Sequence, residues 1–366
     1  MTQLHQTIEV SLGDRSYPID IGAGNLAAAG RFLAARCPGV WHAIIITDSH
    51  VEPLYAKVVG QQLAADLDEV DVLVVEAGEG SKSAEVAESL WEQMLELGAD
   101  RKSVVVALGG GVVGDLAGFA AATYARGLRF VQIPTTLLAQ VDSSVGGKVG
   151  INLSGAKNMV GAFWQPAGVL IDTNVLNTLP EREYISGLAE VVKYGVILDA
   201  EFFAFLEVNI AKLLDRDAAT LCQVVARCCR LKADVVETDE RETGGARAVL
   251  NYGHTFAHAL ETTLGYGRLL HGEAVSIGME CAARLAARLG RVDAEFVARQ
   301  RILLSGLKLP IAAPADADSN ALLAAMARDK KSESGHLRFI LPSRMGHVEL
   351  VSDVADADVL AAMKAS

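Results

Sequence analysis

Short apolar runs rich in β-branched residues alternate with longer stretches of helical period through the first half of the chain; the second half is almost entirely helical in period. Residues 7–12 and 17–21 flank Gly13-Asp14 and predict an opening strand pair, followed by a helix over 26–35. The runs 43–47, 70–75, 104–108, 129–133 and 169–172 predict strands, and 104–108 is apolar throughout, as a strand buried on both faces of a parallel sheet requires. Helical stretches over 51–67, 84–97 and 112–122 separate the middle strands, and that alternation predicts a Rossmann-like parallel sheet with its ligands at the carboxyl ends of the strands. Pro180 closes the pattern. Helices are predicted over 184–198, 201–214, 218–237, 255–263, 273–289 and 294–304, with a strand pair over 337–341 and 347–351. The expected architecture is an α/β domain over 1–180 followed by a mostly α-helical domain over 181–366.

The strand 104–108 runs into Gly109, Gly110 and Gly111, which can take positive φ and let a backbone approach a ligand closely. A strand, a glycine turn and a helix N-terminus together form an anion site suited to a pyrophosphate. Gly109, Gly111 and Gly114 satisfy G-x-G-x-x-G, yet the following strand ends in Pro134-Thr135-Thr136 where the dinucleotide fingerprint wants an acid, so this is not an ordinary Rossmann loop. Asp115, read in the first helical turn, can receive a ribose hydroxyl or serve the helix dipole. Asp48 ends the strand 43–47 in the same way, and the turn AGEGSKS carries Glu79 and Lys82 toward the same sheet edge. Gly146-Gly147-Lys148 is followed by Val149, which excludes a phosphate loop of Walker type.

Composition narrows the field further. A net charge of −12 argues against nucleic acid and anionic membranes as partners, and the longest apolar run is broken well short of a membrane span. The five cysteines are scattered and lack a C-x-x-C pair, and the N-terminus has no secretory pattern; a soluble cytoplasmic protein with reduced thiols is the expectation.

The helical half holds Glu190 in SGLAEVVKYG, His254 and His258 in NYGHTFAHALE, and His271 in HGEAV. His254 and His258 are four apart on one helix face, but Thr255 stands where a zincin has its base. Two imidazoles and a carboxylate would suit zinc with open positions, or ferrous iron. The cations Arg126, Lys148, Lys157, Lys193, Lys232, Arg247 and Lys330 form a second set, several of them inside apolar or glycine-rich segments where an unpaired charge is costly. They predict an anionic small-molecule substrate carrying carboxylate and phosphate.

From about residue 48 to 344 the chain resembles the 3-dehydroquinate synthases of the sugar phosphate cyclase superfamily, through GGGVVGDLAGFAA, RGLRFVQIPTTLLAQVDSSVGGKVGIN, KNMVGAFWQP, GLAEVVKYG, NYGHTFAHALE and HGEAVSIGM. The resemblance implies NAD in the first domain, zinc (or cobalt) in the second, and catalysis between them. It implies zinc on Glu190, His254 and His271, leaving His258 to the substrate. For NAD it implies Asp48, Gly78, Glu79, Lys82, the run Gly111, Val112, Val113, Gly114 and Asp115, then Thr135, Thr136, Lys148, Lys157, and Val175, Leu176, Asn177 and Thr178. For the substrate it implies Asp142, Lys148, Lys157, Asn158, Lys193, Lys232, Arg247, Asn251, His258 and Lys330, of which Lys148, Lys193, Lys232, Arg247, Asn251 and His258 take part in catalysis. Arg126 would reach in from a partner subunit, which makes a homodimer. TGGARAVLN is one residue longer ahead of Arg247 than the family's usual spacing, and Lys330 and Lys331 are adjacent candidates for one position. The implied reaction converts 3-deoxy-D-arabino-heptulosonate 7-phosphate to 3-dehydroquinate and phosphate through transient oxidation by NAD, β-elimination, reduction and aldol closure. Other sugar-phosphate cyclases share the metal and nucleotide segments but vary the substrate cations, and metal-dependent NAD polyol dehydrogenases share the architecture but leave the lysine set unexplained; the full cation set favours dehydroquinate formation.

Overall fold

The computed structural model describes residues 5–154, 156–265, 267–329 and 337–364. They form two compact units, one drawn from Met1–Leu179 and Ala218–Arg241, the other from Pro180–Asp217 and Glu242–Ser366.

The first unit is built on a seven-stranded sheet. Its strands are β1 (His5–Val10), β2 (Tyr17–Gly22), β3 (His42–Asp48), β4 (Glu69–Val75), β5 (Ser103–Gly109), β6 (Arg129–Pro134) and, after a separate hairpin of β7 (Lys148–Leu153) and β8 (Ala156–Phe163), β9 (Gly168–Asp172). The order is β1-β2-β9-β6-β5-β3-β4, antiparallel only between β1 and β2. Side chains of β3 and β5 alternate between two cores. Ile44, Ile46, Val105 and Ala107 pack with Val113, Leu116 and Ala117 of the helix Gly111–Thr123, while Ile45, Val104 and Val106 pack with Val59 and Leu63 of the helix Lys57–Leu63. Adjacent strands β3 and β5 therefore send their connections to opposite faces of the sheet, the arrangement at which ligands of open α/β sheets bind beyond the carboxyl ends.

The hairpin β7–β8 is an element that periodicity does not reveal, because its exposed strand β8 keeps no apolar alternation. It packs through Val149 and Ile151 on the helix Gly111–Thr123. The helix Ala218–Thr238 lies in the stretch expected as the second domain but belongs to the first unit. Arg230 donates to the Glu9 carbonyl at 2.6 Å and the Cys229 thiol to the Gln140 carbonyl at 3.3 Å. Helical period alone does not say which partner a helix covers.

The second unit is helical, with Glu181–Leu198, His254–Leu264 and His271–Arg288 at its centre and a strand pair Phe339–Arg344 with His347–Val351. The stretch expected as one helix over 201–214 is two, Ala200–Val208 and Ile210–Leu214, broken where Asn209 turns its amide onto the Phe205 carbonyl at 2.8 Å. Helices Ser319–Asp329 and Asp356–Met363 add to those expected. All five cysteines are buried thiols outside any disulfide. Among the described residues, no helix is long and apolar enough to cross a membrane.

Candidate functional site

In the second unit three helices converge through glycine. A Cβ on Gly272 would stand 1.9 Å from the Ser186 carbonyl oxygen, and one on Gly278 would stand 2.1 Å from the Gly253 carbonyl oxygen. The starts of His254–Leu264 and His271–Arg288 are thereby brought against each other and against the helix carrying Glu190. Oxygen and nitrogen atoms of Glu190, His254 and His271 all lie within 4.8 Å of one another. His254 Nε2 is 3.8 Å and His271 Nε2 3.7 Å from the same Glu190 Oε1.

The donor set fits a divalent metal. Glu190 is fully buried, and neither of its carboxylate oxygens makes a hydrogen bond, although Lys193 forms an ion pair with Oε2. A buried carboxylate that keeps lone pairs unengaged is costly unless a cation takes them up. His254 is held well below the ordinary imidazole range by burial, reinforced by Lys193, His271 and His258, so it is neutral and able to ligate. Burial also works against a charged His271, but the carboxylates of Glu261 and Glu190 outweigh it and its pKa is raised. His258 stays out of the cluster: its ring is edge-on to His254 at 5.6 Å, and it is exposed.

The glycine turn of the first unit corrects one expectation. None of Gly109, Gly110 and Gly111 has positive φ. Space is what excludes side chains here, since a Cβ on Gly110 would meet Thr136 Cγ2 at 2.9 Å and one on Gly111 would meet Ser143 Oγ at 3.0 Å. Asp115 lies one turn beyond the helix start rather than in the first turn. Lys82, nearly buried, donates to Asp115 Oδ2 at 2.6 Å and to Asn158 Oδ1 at 2.5 Å. Burial pushes the Asp115 carboxyl up against the opposing pull of Lys82. Asn152 completes the network, donating to Glu79 at 2.8 Å and accepting from the Asn158 amide at 2.8 Å. Glu79, Lys82, Asp115 and Asn158 are thus one polar array. Beside it, Thr135 donates its amide to the Gly109 carbonyl at 2.9 Å, and its buried hydroxyl has no hydrogen-bond partner. The glycine cradle and that orphaned hydroxyl fit a nucleotide.

Other residues implied for NAD sit differently. Asp48 Oδ1 accepts from the amides of His50 and Val51 and so caps the turn after β3. Val113, Val175 and Leu176 have side chains in the core, so the implied NAD contacts at these positions fall to their backbone groups. Gly78 takes φ 111° before the short turn bearing Glu79. The Thr178 hydroxyl donates to the Val175 carbonyl at 3.0 Å and meets the Tyr55 phenol at 2.5 Å. Val112, Gly114 and Thr136 line the helix start and the loop after β6, and Asn177 ends the turn after β9.

Of the cations, Lys193, Lys232 and Arg247 are buried, Lys157 is half-buried, and Arg126 and Lys148 are exposed. Lys232 is paired with Asp142, and Arg247 Nε stands 3.7 Å from Glu242. Asn251 ends the short turn ahead of His254, exposed. Lys330 and Lys331 lie outside the described residues. Sequence reasoning missed Glu261, Tyr252 and Asn152; only Glu261 had a readable signal, three residues beyond His258 on the same helix face.

Residues 72–186 match the family model described as 3-dehydroquinate synthase N-terminal, and residues 187–332 that described as 3-dehydroquinate synthase C-terminal. The chain is 54% identical over 370 residues to a 3-dehydroquinate synthase of Rhodopirellula baltica, covering 100% of this chain and 98% of the relative. A 2-deoxy-scyllo-inosose synthase solved with carbaglucose-6-phosphate, NAD+ and Co2+ superposes with a TM-score of 0.89 at 27% identity, over 98% of this chain and 99% of that one. A 2-epi-5-epi-valiolone synthase from Streptomyces hygroscopicus with NAD+ and Zn2+ bound gives 0.87 at 30% identity, over 96% and 97%.

Proposed function

The chain belongs to the 3-dehydroquinate synthase family and is an enzyme of the sugar phosphate cyclase group, and from that premise we propose that it converts 3-deoxy-D-arabino-heptulosonate 7-phosphate to 3-dehydroquinate and phosphate. The observation that carries the reading is the convergence of Glu190, His254 and His271 on one point, with the buried Glu190 Oε1 making no hydrogen bond. A divalent ion held there, zinc or cobalt as in the two solved cyclases, supplies Lewis acidity toward a substrate hydroxyl. NAD at the glycine turn supplies a reversible hydride acceptor.

The protein's own groups bind and orient an anion. In the first unit, Lys148, Lys157 and Asn158 lie on the β7–β8 hairpin, and Lys232 of the helix Ala218–Thr238 is paired with Asp142. In the second unit, Lys193, Arg247, Asn251 and His258 supply two buried positive charges and two exposed hydrogen-bonding side chains. Buried cations hold phosphate and carboxylate oxygens more strongly than solvated ones, because water screens them less. His258 is accessible to exchange a proton or hydrogen bond with the substrate.

With catalytic NAD and zinc, phosphate and dehydroquinate are expected to form in equal amounts with no accumulating NADH. Stoichiometric NADH from an uncharged polyol, without phosphate release, would make the protein a dehydrogenase instead.

The reading includes a cytoplasmic homodimer. Arg126 is exposed and held at φ 67°, and the hairpin exposes Leu153, Met159, Val160 and Phe163, an apolar set suited to a second copy of this chain. Sedimentation of the purified protein is expected to give twice the chain mass; a single-chain mass at micromolar concentration would remove the dimer.

A further inference from the structure

Resting on the metal reading above, the geometry points to Glu261 as the positioning residue that aims His271 at the metal, and so to one helix that governs both imidazole ligands. Each histidine turns Nε2 toward Glu190 and leaves Nδ1 facing away. The two outward nitrogens meet different partners. His254 Nδ1 lies 3.1 Å from the Tyr252 carbonyl oxygen, and His271 Nδ1 lies 3.5 Å from Glu261 Oε1. An acceptor at Nδ1 places the ring proton there, which frees Nε2 as a lone pair for a metal.

The supports differ in stiffness. Tyr252 is fully buried, its phenol 2.8 Å from Gln300 Oε1 and 3.2 Å from the Met279 carbonyl oxygen. Gln300, also fully buried, donates its amide to that same carbonyl at 3.0 Å. The carbonyl that orients His254 is therefore pinned by its own residue's side chain. The group that orients His271 is instead a carboxylate, itself largely buried, on the helix that begins with His254. Residues 254 and 261 are seven apart and so lie two turns along one face. His254–Leu264 thus supplies one ligand from its first turn and orients the other, on the next helix, from its last. A carboxylate at Nδ1 also makes the imidazole a stronger donor than a carbonyl does, so His271 is the more basic of the two ligands toward the metal.

The test compares Glu261→Ala with Glu261→Gln by zinc competition against a chromophoric chelator and by the visible spectrum of the cobalt-loaded protein. Loss of an outer partner of a metal-bound histidine typically lowers affinity by roughly 10- to 100-fold. Glu261→Ala is expected to weaken zinc by that amount and to alter the cobalt bands. Glu261→Gln, whose amide oxygen still accepts from Nδ1, is expected to lose less and to keep a near-parental spectrum. An Ala variant that binds zinc as tightly as the parent with unchanged cobalt bands would overturn the proposal, as would a Gln variant as weak as Ala. His271→Ala separates this from failure of the metal reading: if it too leaves zinc affinity unchanged, the metal centre itself is wrong, whereas loss in His271→Ala alone rejects only the role of Glu261.

Discussion

Replacing Glu190 with alanine is expected to strip zinc from the protein and to lower turnover by about a thousandfold or more. The carboxylate is the only anionic member of the donor set, and both histidine Nε2 atoms are gathered about its Oε1. A Lewis acid contributes several kcal/mol of charge stabilisation, and ~4 kcal/mol corresponds to about three decades in rate. The same substitution removes the carboxylate partner of the buried Lys193 ammonium. Breaking a buried ion pair from one side costs about 3–5 kcal/mol, so the variant is also expected to unfold at lower denaturant. Glu190→Gln removes the same charge but keeps the side-chain volume, so it separates the loss of the carboxylate from the cavity that alanine leaves. Metal content by atomic spectroscopy, phosphate release and denaturant unfolding are read on one preparation. Stoichiometric zinc in Glu190→Gln and Glu190→Ala would sink the assigned centre.

Asp115→Ala is expected to weaken NAD binding by about ten- to a hundredfold while leaving zinc content unchanged. Asp115 and Lys82 are bonded at 2.6 Å, beside the start of the helix that follows the glycine turn. A hydrogen bond to a charged group is worth about 1.5–3 kcal/mol, and 1.4 kcal/mol is tenfold in affinity. The variant also disturbs Lys82, which continues to Asn158. Asp115→Asn, which keeps the shape and one acceptor oxygen, is expected to lose less. Titration of NAD by fluorescence quenching reads the effect. Parental affinity in both variants would confine Asp115 to a structural pairing with Lys82.

How much could be read ahead of the structure varies with the range of the force involved. The strand 104–108 was legible because burial on both faces demands an unbroken apolar run, and β5 with its two cores meets that demand. The hairpin β7–β8 was not, because strand β8 is exposed along most of its length and keeps no alternation. The glycine turn was found for a reason that only half applies: close approach holds at Gly110 and Gly111, while positive φ occurs at neither. Glu190, His254 and His271 were legible as residue types and as members of quoted motifs, but no local pattern joins positions 190, 254 and 271.

Residue chemistry and periodicity along the chain were sufficient for the α/β-then-helical order and for naming the metal-capable side chains, because each depends on neighbours within a few residues. Tertiary structure alone decided that Ala218–Thr238 joins the first unit, that Val175 and Leu176 turn inward, that Lys82 bridges Asp115 and Asn158, and that Glu261 faces His271. Those outcomes depend on which surfaces meet when the chain folds, and packing at contacts such as Gly272 on Ser186 sets them at distances no spacing rule encodes.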